Sequence, residues 1–229
     1  MEKIPIISIE GVIGIGKSTL CRKLEERGYP ISEEPVSEWL GTFDEYGKNI
    51  IDYLYADIEK FGFPMQIFAF ISKCKMLMNT MLKNIEHKPI FVERCIFTDK
   101  ECFAKNLRES KKMTDIEWII YQKCFEYITE TFEPKVPKPT AYIYLRTTDI
   151  KCVMDRIKTR GRDAEATISS DYILSLHKKH DEWMFKNVEK EIPVLTIDVS
   201  LDESKDDNLW TDMIEKIEEW IKVIKFSSK

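Results

Sequence analysis

The segment Gly11-Val12-Ile13-Gly14-Ile15-Gly16-Lys17-Ser18 has the spacing G-x-x-x-x-G-K-S. In such a segment the glycines let the backbone approach a phosphate, and successive N–H groups opening a helix form an anion cradle. Lys17 would reach the β- and γ-phosphates of a nucleoside triphosphate and the Ser18 hydroxyl would ligate Mg²⁺, with Thr19 next to the phosphates. A glycine-rich turn with a solvated lysine is the bland alternative. The chain has only 8 glycines in 229 residues, however, and three of them fall here.

Arginine placement is the second chemical signal. Lysine outnumbers arginine 27 to 8, and arginine carries the planar fork suited to phosphate oxygens. Arg156 and Arg160 are four apart, so they share a helix face, and Arg162 follows at the expected helix end. Three forks so placed can close over a triphosphate as charge shifts in a transition state. A basic, solvated helix end would have the same residues.

These groups need a scaffold. Short apolar runs at 4–9, 89–92, 141–145 and 192–197, with a weaker one at 29–31, predict strands, separated by stretches with helical periodicity near 18–27, 64–84, 98–108, 114–132, 149–160, 170–186 and 207–225. Strands alternating with helices imply an α/β fold, a parallel sheet covered on both faces. In the last helix Trp210, Met213, Ile214, Ile217, Ile221 and Ile224 recur every three or four residues and predict a core or interface face. The proline-bearing stretch 134–139 is expected to be a loop within one domain spanning 1–229, a length ordinary for a single domain.

Composition removes several function classes. A formal charge of −5 gives no basic field for a polynucleotide. No apolar run approaches the roughly 18 residues of a membrane span, and Met1-Glu2-Lys3 lacks the makings of a signal peptide, so a soluble, cytoplasmic protein is expected with no membrane partner. The six cysteines are scattered without a C-x-x-C pair, which argues against a disulfide framework or zinc site and for buried small hydrophobes. The guanine-reading N-K-x-D signature is absent, and 229 residues leave little room for oligomeric ATPase machinery. Phosphoryl transfer to a small molecule becomes the leading class.

Three further segments stand just after expected strands: Glu34-Pro35-Val36-Ser37-Glu38-Trp39, Glu93-Arg94-Cys95, and 156–165 with its arginines and Glu165. Ligands in a doubly wound sheet bind outside the carboxyl ends of strands, so Glu34, Glu93 and Arg94 should converge. Taken in order with the phosphate loop, these segments resemble the deoxyribonucleoside kinase family over nearly the whole chain. The resemblance implies a five-stranded parallel sheet with helices on both faces and an arginine-rich lid. It also implies a homodimer that transfers the γ-phosphoryl of ATP, or another triphosphate, to the 5′-hydroxyl of a deoxyribonucleoside.

By that resemblance Glu34 accepts the hydroxyl proton, Arg94 steadies hydroxyl and phosphate, and Glu93 holds Mg²⁺ with Ser18. Arg156, Arg160 and Arg162 become the lid, Glu165 with Tyr55 takes the sugar 3′-hydroxyl, and the loop with Asp202 lies by the donor's base. Where the family usually has two adjacent acids this chain has Ala164-Glu165. Pro64-Met65-Gln66 resembles the family's P-F-Q, whose glutamine meets the base edge, and Trp39 and Phe103 match its aromatic walls.

Lys73 and Asp99 match the Arg and Asp positions of the deoxycytidine and deoxyguanosine kinases. An ionised Asp only accepts hydrogen bonds, so it favours a base with an exocyclic amino group over thymine, and deoxycytidine and purine deoxynucleosides are expected ahead of thymidine. Lysine lacks the fork of arginine, and Lys73 also fits a solvated helix residue. A nucleoside monophosphate kinase of thymidylate type is the rival enzyme, which would need further basic groups for the acceptor's phosphate; a non-catalytic nucleotide-binding module is the rival of another class. The helix 113–131, with Trp118, Ile119, Tyr121 and Phe125, has the composition of a dimer face or of a core helix.

Overall fold

The computed structural model describes residues 4–131, 136–162, 165, 167–188, 192–200 and 207–224. Five strands, β1 (Ile6–Glu10), β2 (Ile31–Ser32), β3 (Ile90–Glu93), β4 (Ala141–Arg146) and β5 (Val194–Asp198), form one sheet in the order β2-β3-β1-β4-β5. Every pairing is parallel; Ile7 stands opposite Phe91 on one side and Ala141 on the other. β1 is therefore central, and all five of its residues are buried, which explains why it is apolar apart from Ser8 and the terminal Glu10.

The two faces separate by alternation along the strands. Ile7, Ile9, Phe91, Ile143 and Leu145 pack with α1 (Lys17–Glu26), α8 (Ile150–Arg160), α9 (Ser170–Glu182) and α10 (Asp207–Val223). Ile6, Ile90, Val92, Tyr142 and Tyr144 face the other way, toward Leu77 of α4 (Ile58–Lys83) and Met184. The face expected on α10 is confirmed as core, with Trp210, Met213, Ile214 and Ile217 buried. Beyond the sheet, α4 packs on α7 (Asp115–Thr131), where Phe70 stacks on Phe125 with centroids 5.3 Å apart. On α7, Tyr121 and Phe125 are core, while Ile116, Ile119, Ile120 and Tyr127 are exposed.

Three features depart from the periodicity. α4 begins at Ile58, six residues before the expected start at Pro64, because Asp57 caps it by accepting from the Lys60 N–H. The helix runs through Pro64 at the cost of the hydrogen bond that Lys60 C=O would otherwise accept. Two short helices, α2 (Val36–Gly41) and α3 (Ile50–Ala56), were not anticipated; α3 is held by a capping box between Asn49 and Asp52. The expected helix 98–108 is present as one continuous run over 96–109, but its winding changes: α5 (Ile96–Thr98) passes through a π-helical turn (Asp99–Ala104) into α6 (Lys105–Glu109). Of the six cysteines, Cys21, Cys74, Cys95 and Cys102 are buried, Cys124 and Cys152 half-buried, and all are free thiols.

Candidate active site

A cavity of about 970 Å³ opens at the carboxyl ends of β1 to β4. Its donor end is the loop between β1 and α1. Gly11, Gly14 and Gly16 have φ of +142°, +78° and +112°. A Cβ on Gly11 would stand 2.5 Å from the Leu145 carbonyl oxygen, and one on Gly14 would stand 2.5 Å from Ile157 Cγ1. Only glycine fits, and the loop is thereby braced against β4 and α8. Gly16 precedes α1 without a side-chain cap, so among the described residues the first N–H groups of α1 stay free for an anion.

Lys17 is buried, its Nζ donating to the carbonyls of Gly11 (3.1 Å) and Val12 (2.9 Å). Burial, then the nearby Arg94 charge, lowers its ammonium to about 7. Such a cation gains from meeting a polyphosphate, which favours its charged form. The Ser18 hydroxyl donates to Glu93 Oε1 at 2.6 Å, which sets two hard oxygen ligands side by side below the loop, the donor type Mg²⁺ prefers.

Arg94 follows β3 in the left-handed region, φ +58°. Its Nη1 donates to both Glu34 oxygens, at 2.7 and 2.9 Å, and its Nη2 to the Gly11 carbonyl at 3.0 Å, so one guanidinium ties the phosphate loop to the carboxylate after β2. Burial pushes the Glu34 carboxyl up, but Arg94, then Lys73 and Lys17, hold it well below the usual carboxylate range. Glu34 is thus an ionised acceptor at neutral pH.

Lys73 is not solvated. It is 6% exposed, donates to Asp99 Oδ1 at 2.6 Å, lies 3.2 Å from Glu34 Oε1 and has its ammonium 5.7 Å from the Trp39 ring centroid. It stands behind the cavity wall, whereas Asp99, on the π-helical turn, lines it. Among the described residues neither Asp99 Oδ2 nor Gln66 Oε1 has a hydrogen-bond partner. Both are buried in the cavity wall, and an unpaired buried acceptor is costly unless a ligand donates to it. Trp39, held by its Nε1–H on Ser72 Oγ (2.9 Å), and Phe103, with the Arg94 guanidinium 4.5 Å from its centroid, are the flat walls beside them.

Toward the lid, Tyr55 and Glu165 line the same cavity. Burial, with Tyr172 and Glu165 near, pushes the Tyr55 phenol far up, so it remains a donor. Glu165 receives both Arg160, on Oε2, and Arg162, on Oε1 at 3.2 Å. Arg156 instead donates to the carbonyls of Ile15 (3.4 Å) and Val199 (3.1 Å). All three arginines line the cavity.

The expected residues therefore come together. Ile13, Gly14, Ile15, Gly16, Lys17, Ser18 and Thr19 line the donor end, while Gly11 and Val12 lie beneath as the loop's root and Lys73 backs the wall. Asp202 falls outside the described residues. The sequence reading missed Leu54, Met65, Ala69 and Tyr172, which also line the cavity. Only the P-M-Q motif pointed to that stretch of α4, and no spacing signal singled out Tyr172, which precedes the core residues Ile173 and Leu176 on α9. Trp210, expected on a core or interface face and not at a ligand site, is buried but also lines the cavity, near Gly16.

Comparison with known proteins bears on the whole chain. A family model described as deoxynucleoside kinase matches residues 7–222. Deoxycytidine kinase 2 of Gallus gallus is 34% identical over 87% of this chain and 84% of its own length, and deoxycytidine kinase of Rattus norvegicus is 34% identical over 96% and 92%. The mitochondrial deoxyguanosine kinase of Xenopus laevis is 30% identical over 86% and 82%. The family model spanning residues 7–222, with relatives 30–34% identical over more than four fifths of both chains, places the chain in the deoxynucleoside kinase family.

Proposed function

We propose that this single-domain chain, residues 1–229, transfers the γ-phosphoryl of ATP, or another nucleoside triphosphate, to the 5′-hydroxyl of a deoxyribonucleoside, with deoxycytidine and purine deoxynucleosides ahead of thymidine. The observation that carries the reading is the Arg94–Glu34 pair, which stands between the phosphate loop and the Gln66–Asp99 wall. A nucleoside with its base against Gln66 and Asp99 and its 3′-hydroxyl on Glu165 and Tyr55 presents its 5′-hydroxyl to Glu34.

Glu34 accepts the hydroxyl proton as the phosphoryl group moves. The pull of Arg94 makes it a weak base in the free enzyme. An incoming γ-phosphate draws part of that guanidinium charge to itself, which raises the basicity of Glu34 when the proton must leave. Lys17 and the forks of Arg156, Arg160 and Arg162 balance charge on the phosphates, and the apolar walls exclude water that would otherwise take the phosphoryl group. Ser18 and Glu93 would hold Mg²⁺, which supplies charge neutralisation on the β- and γ-phosphate oxygens.

The acceptor end favours a bare nucleoside over a monophosphate, because its cations Lys73 and Arg94 are already paired with carboxylates. A non-catalytic binding module would leave the pairing of Arg94 and Glu34 without a purpose. The exposed Ile116, Ile119, Ile120 and Tyr127 on α7 support a homodimer, and six free thiols suit the reducing cytoplasm. The test is steady-state phosphorylation of deoxycytidine, deoxyadenosine, deoxyguanosine, thymidine and thymidine monophosphate with Mg-ATP, ranked by kcat/KM. Turnover of the nucleosides with thymidine last supports the proposal; turnover of the monophosphate alone overturns it.

A further inference from the structure

Glu10 is the last residue of β1, directly before the phosphate loop, and it is a carboxylate in an otherwise almost wholly apolar strand. It is 0% exposed. Its Oε1 accepts from Ser8 Oγ at 2.6 Å and from the Cys95 N–H at 2.9 Å; among the described residues Oε2 has no partner. Burial pushes its carboxyl up, and the bonds from Ser8 and Cys95, then the Arg94 charge, oppose that. A carboxyl shut away at the centre of the sheet is destabilising in itself, so what it holds in place must be sought among its contacts.

Those contacts lead to one turn. Arg94 is one of three non-glycine residues with positive φ among those described, and such a conformation persists in a side-chain-bearing residue only where its surroundings over-determine it. The turn is stitched to β1 by Arg94 N–H on the Ile9 carbonyl (3.0 Å) and by Cys95 N–H on Ser8 Oγ (3.1 Å) and Glu10 Oε1 (2.9 Å). From this backbone position the guanidinium meets Gly11 and Glu34 together.

We propose that Glu10 is a positioning residue for phosphoryl transfer: it clamps the left-handed Arg94–Cys95 turn onto β1 and so sets where the guanidinium meets Glu34 and the incoming phosphate. The proposal rests on the roles given above to Arg94 and Glu34. What matters in the clamp is an acceptor at the right reach. Glu10→Gln keeps an acceptor oxygen at full reach, whereas Glu10→Asp withdraws it by one methylene.

The experiment measures kcat and both KM values for deoxycytidine and Mg-ATP in Glu10→Gln, Glu10→Asp and Glu10→Ala, with thermal melts on the same samples. Glu10→Asp and Glu10→Ala are expected to lose about 10- to 100-fold in kcat, the scale of a misplacement of order 1 Å at reacting atoms, with KM nearly unchanged and Glu10→Gln restoring most of the rate. If Glu10→Ala does not fold, the order of Gln above Asp carries the test. The reverse order, or a loss confined to Tm or KM, overturns the clamp. Glu34→Gln and Arg94→Lys in the same assay separate the two readings: wild-type kcat in both removes the roles of Glu34 and Arg94, whereas a loss there with kcat unmoved in Glu10→Asp removes the clamp alone.

Discussion

The ammonium of Lys73 lies 2.6 Å from Asp99 Oδ1, with both side chains about 95% shut away from water. Burial leaves this pair contributing little net stability, because the desolvation of two charges offsets much of their attraction. Lys73 takes one Asp99 oxygen, and among the described residues the other, in the cavity wall, has no partner. An exocyclic amino group satisfies that oxygen, whereas a carbonyl oxygen in its place repels it.

Asp99→Ala is therefore expected to raise the ratio of thymidine to deoxycytidine kcat/KM by about 10- to 100-fold, the scale of a hydrogen bond to a charged group. Competition between the two nucleosides in one reaction reads the ratio directly. An unchanged ratio would remove Asp99 from base selection.

Glu34→Gln keeps the shape of the side chain and loses the proton acceptor. We expect kcat to fall by roughly 10²- to 10⁴-fold with nucleotide binding near normal. Retention of more than about a tenth of the wild-type rate would contradict a proton-accepting role. Isothermal titration with ADP on the same sample shows whether the donor end is intact.

Glu165 supplies a test at the sugar. Wild type is expected to prefer deoxycytidine to its 3′-deoxy analogue, and Glu165→Ala to bring that preference down by about 10- to 100-fold, the value of one charge-assisted hydrogen bond. If both proteins show the same preference, the 3′-hydroxyl is held elsewhere. Arg160 and Arg162 lose their shared partner in this variant, so a rise in KM for ATP is expected alongside.

His180 sets part of the acid stability. It is fully buried, stacked on Tyr144, with Nδ1 2.7 Å from the Leu176 carbonyl; since a carbonyl only accepts, Nδ1 carries the proton. Burial, then the Arg94 charge, lowers the imidazole to about 3. Below its ordinary value of about 6.5 the unfolded chain takes up a proton that the folded protein refuses, so stability falls as pH drops from there toward 3. His180→Phe keeps a ring against Tyr144 and removes the proton, and between pH 7 and 5 it should lose about 2 kcal/mol less unfolding free energy than wild type. Urea titrations at the two pH values measure this, and equal losses would refute it.

What the sequence by itself determined was everything carried by short-range pattern. The phosphate loop is eight consecutive residues whose function lies in their own backbone, and the apolar runs of β1, β3 and β4 specify buried parallel strands because central strands of such a sheet are covered on both sides. The strand ends and family motifs located Glu34, Glu93 and Arg94 and implied that they converge, without giving the bonds that join them. α2 and α3 escaped because helices of six and seven residues span too few turns to show a period.

The tertiary structure decided the electrostatics. Lys73 on an isolated helix is a solvated cation; burial against Asp99, 26 residues away, turns it into half of a buried ion pair behind the cavity wall. Arg94 meets Glu34 across 60 residues, Ser18 meets Glu93 across 75, and Glu10 closes on Cys95 across 85. Burial and charge pairing depend on which residues the fold brings together, and only the sheet order β2-β3-β1 sets the ends of those three strands side by side.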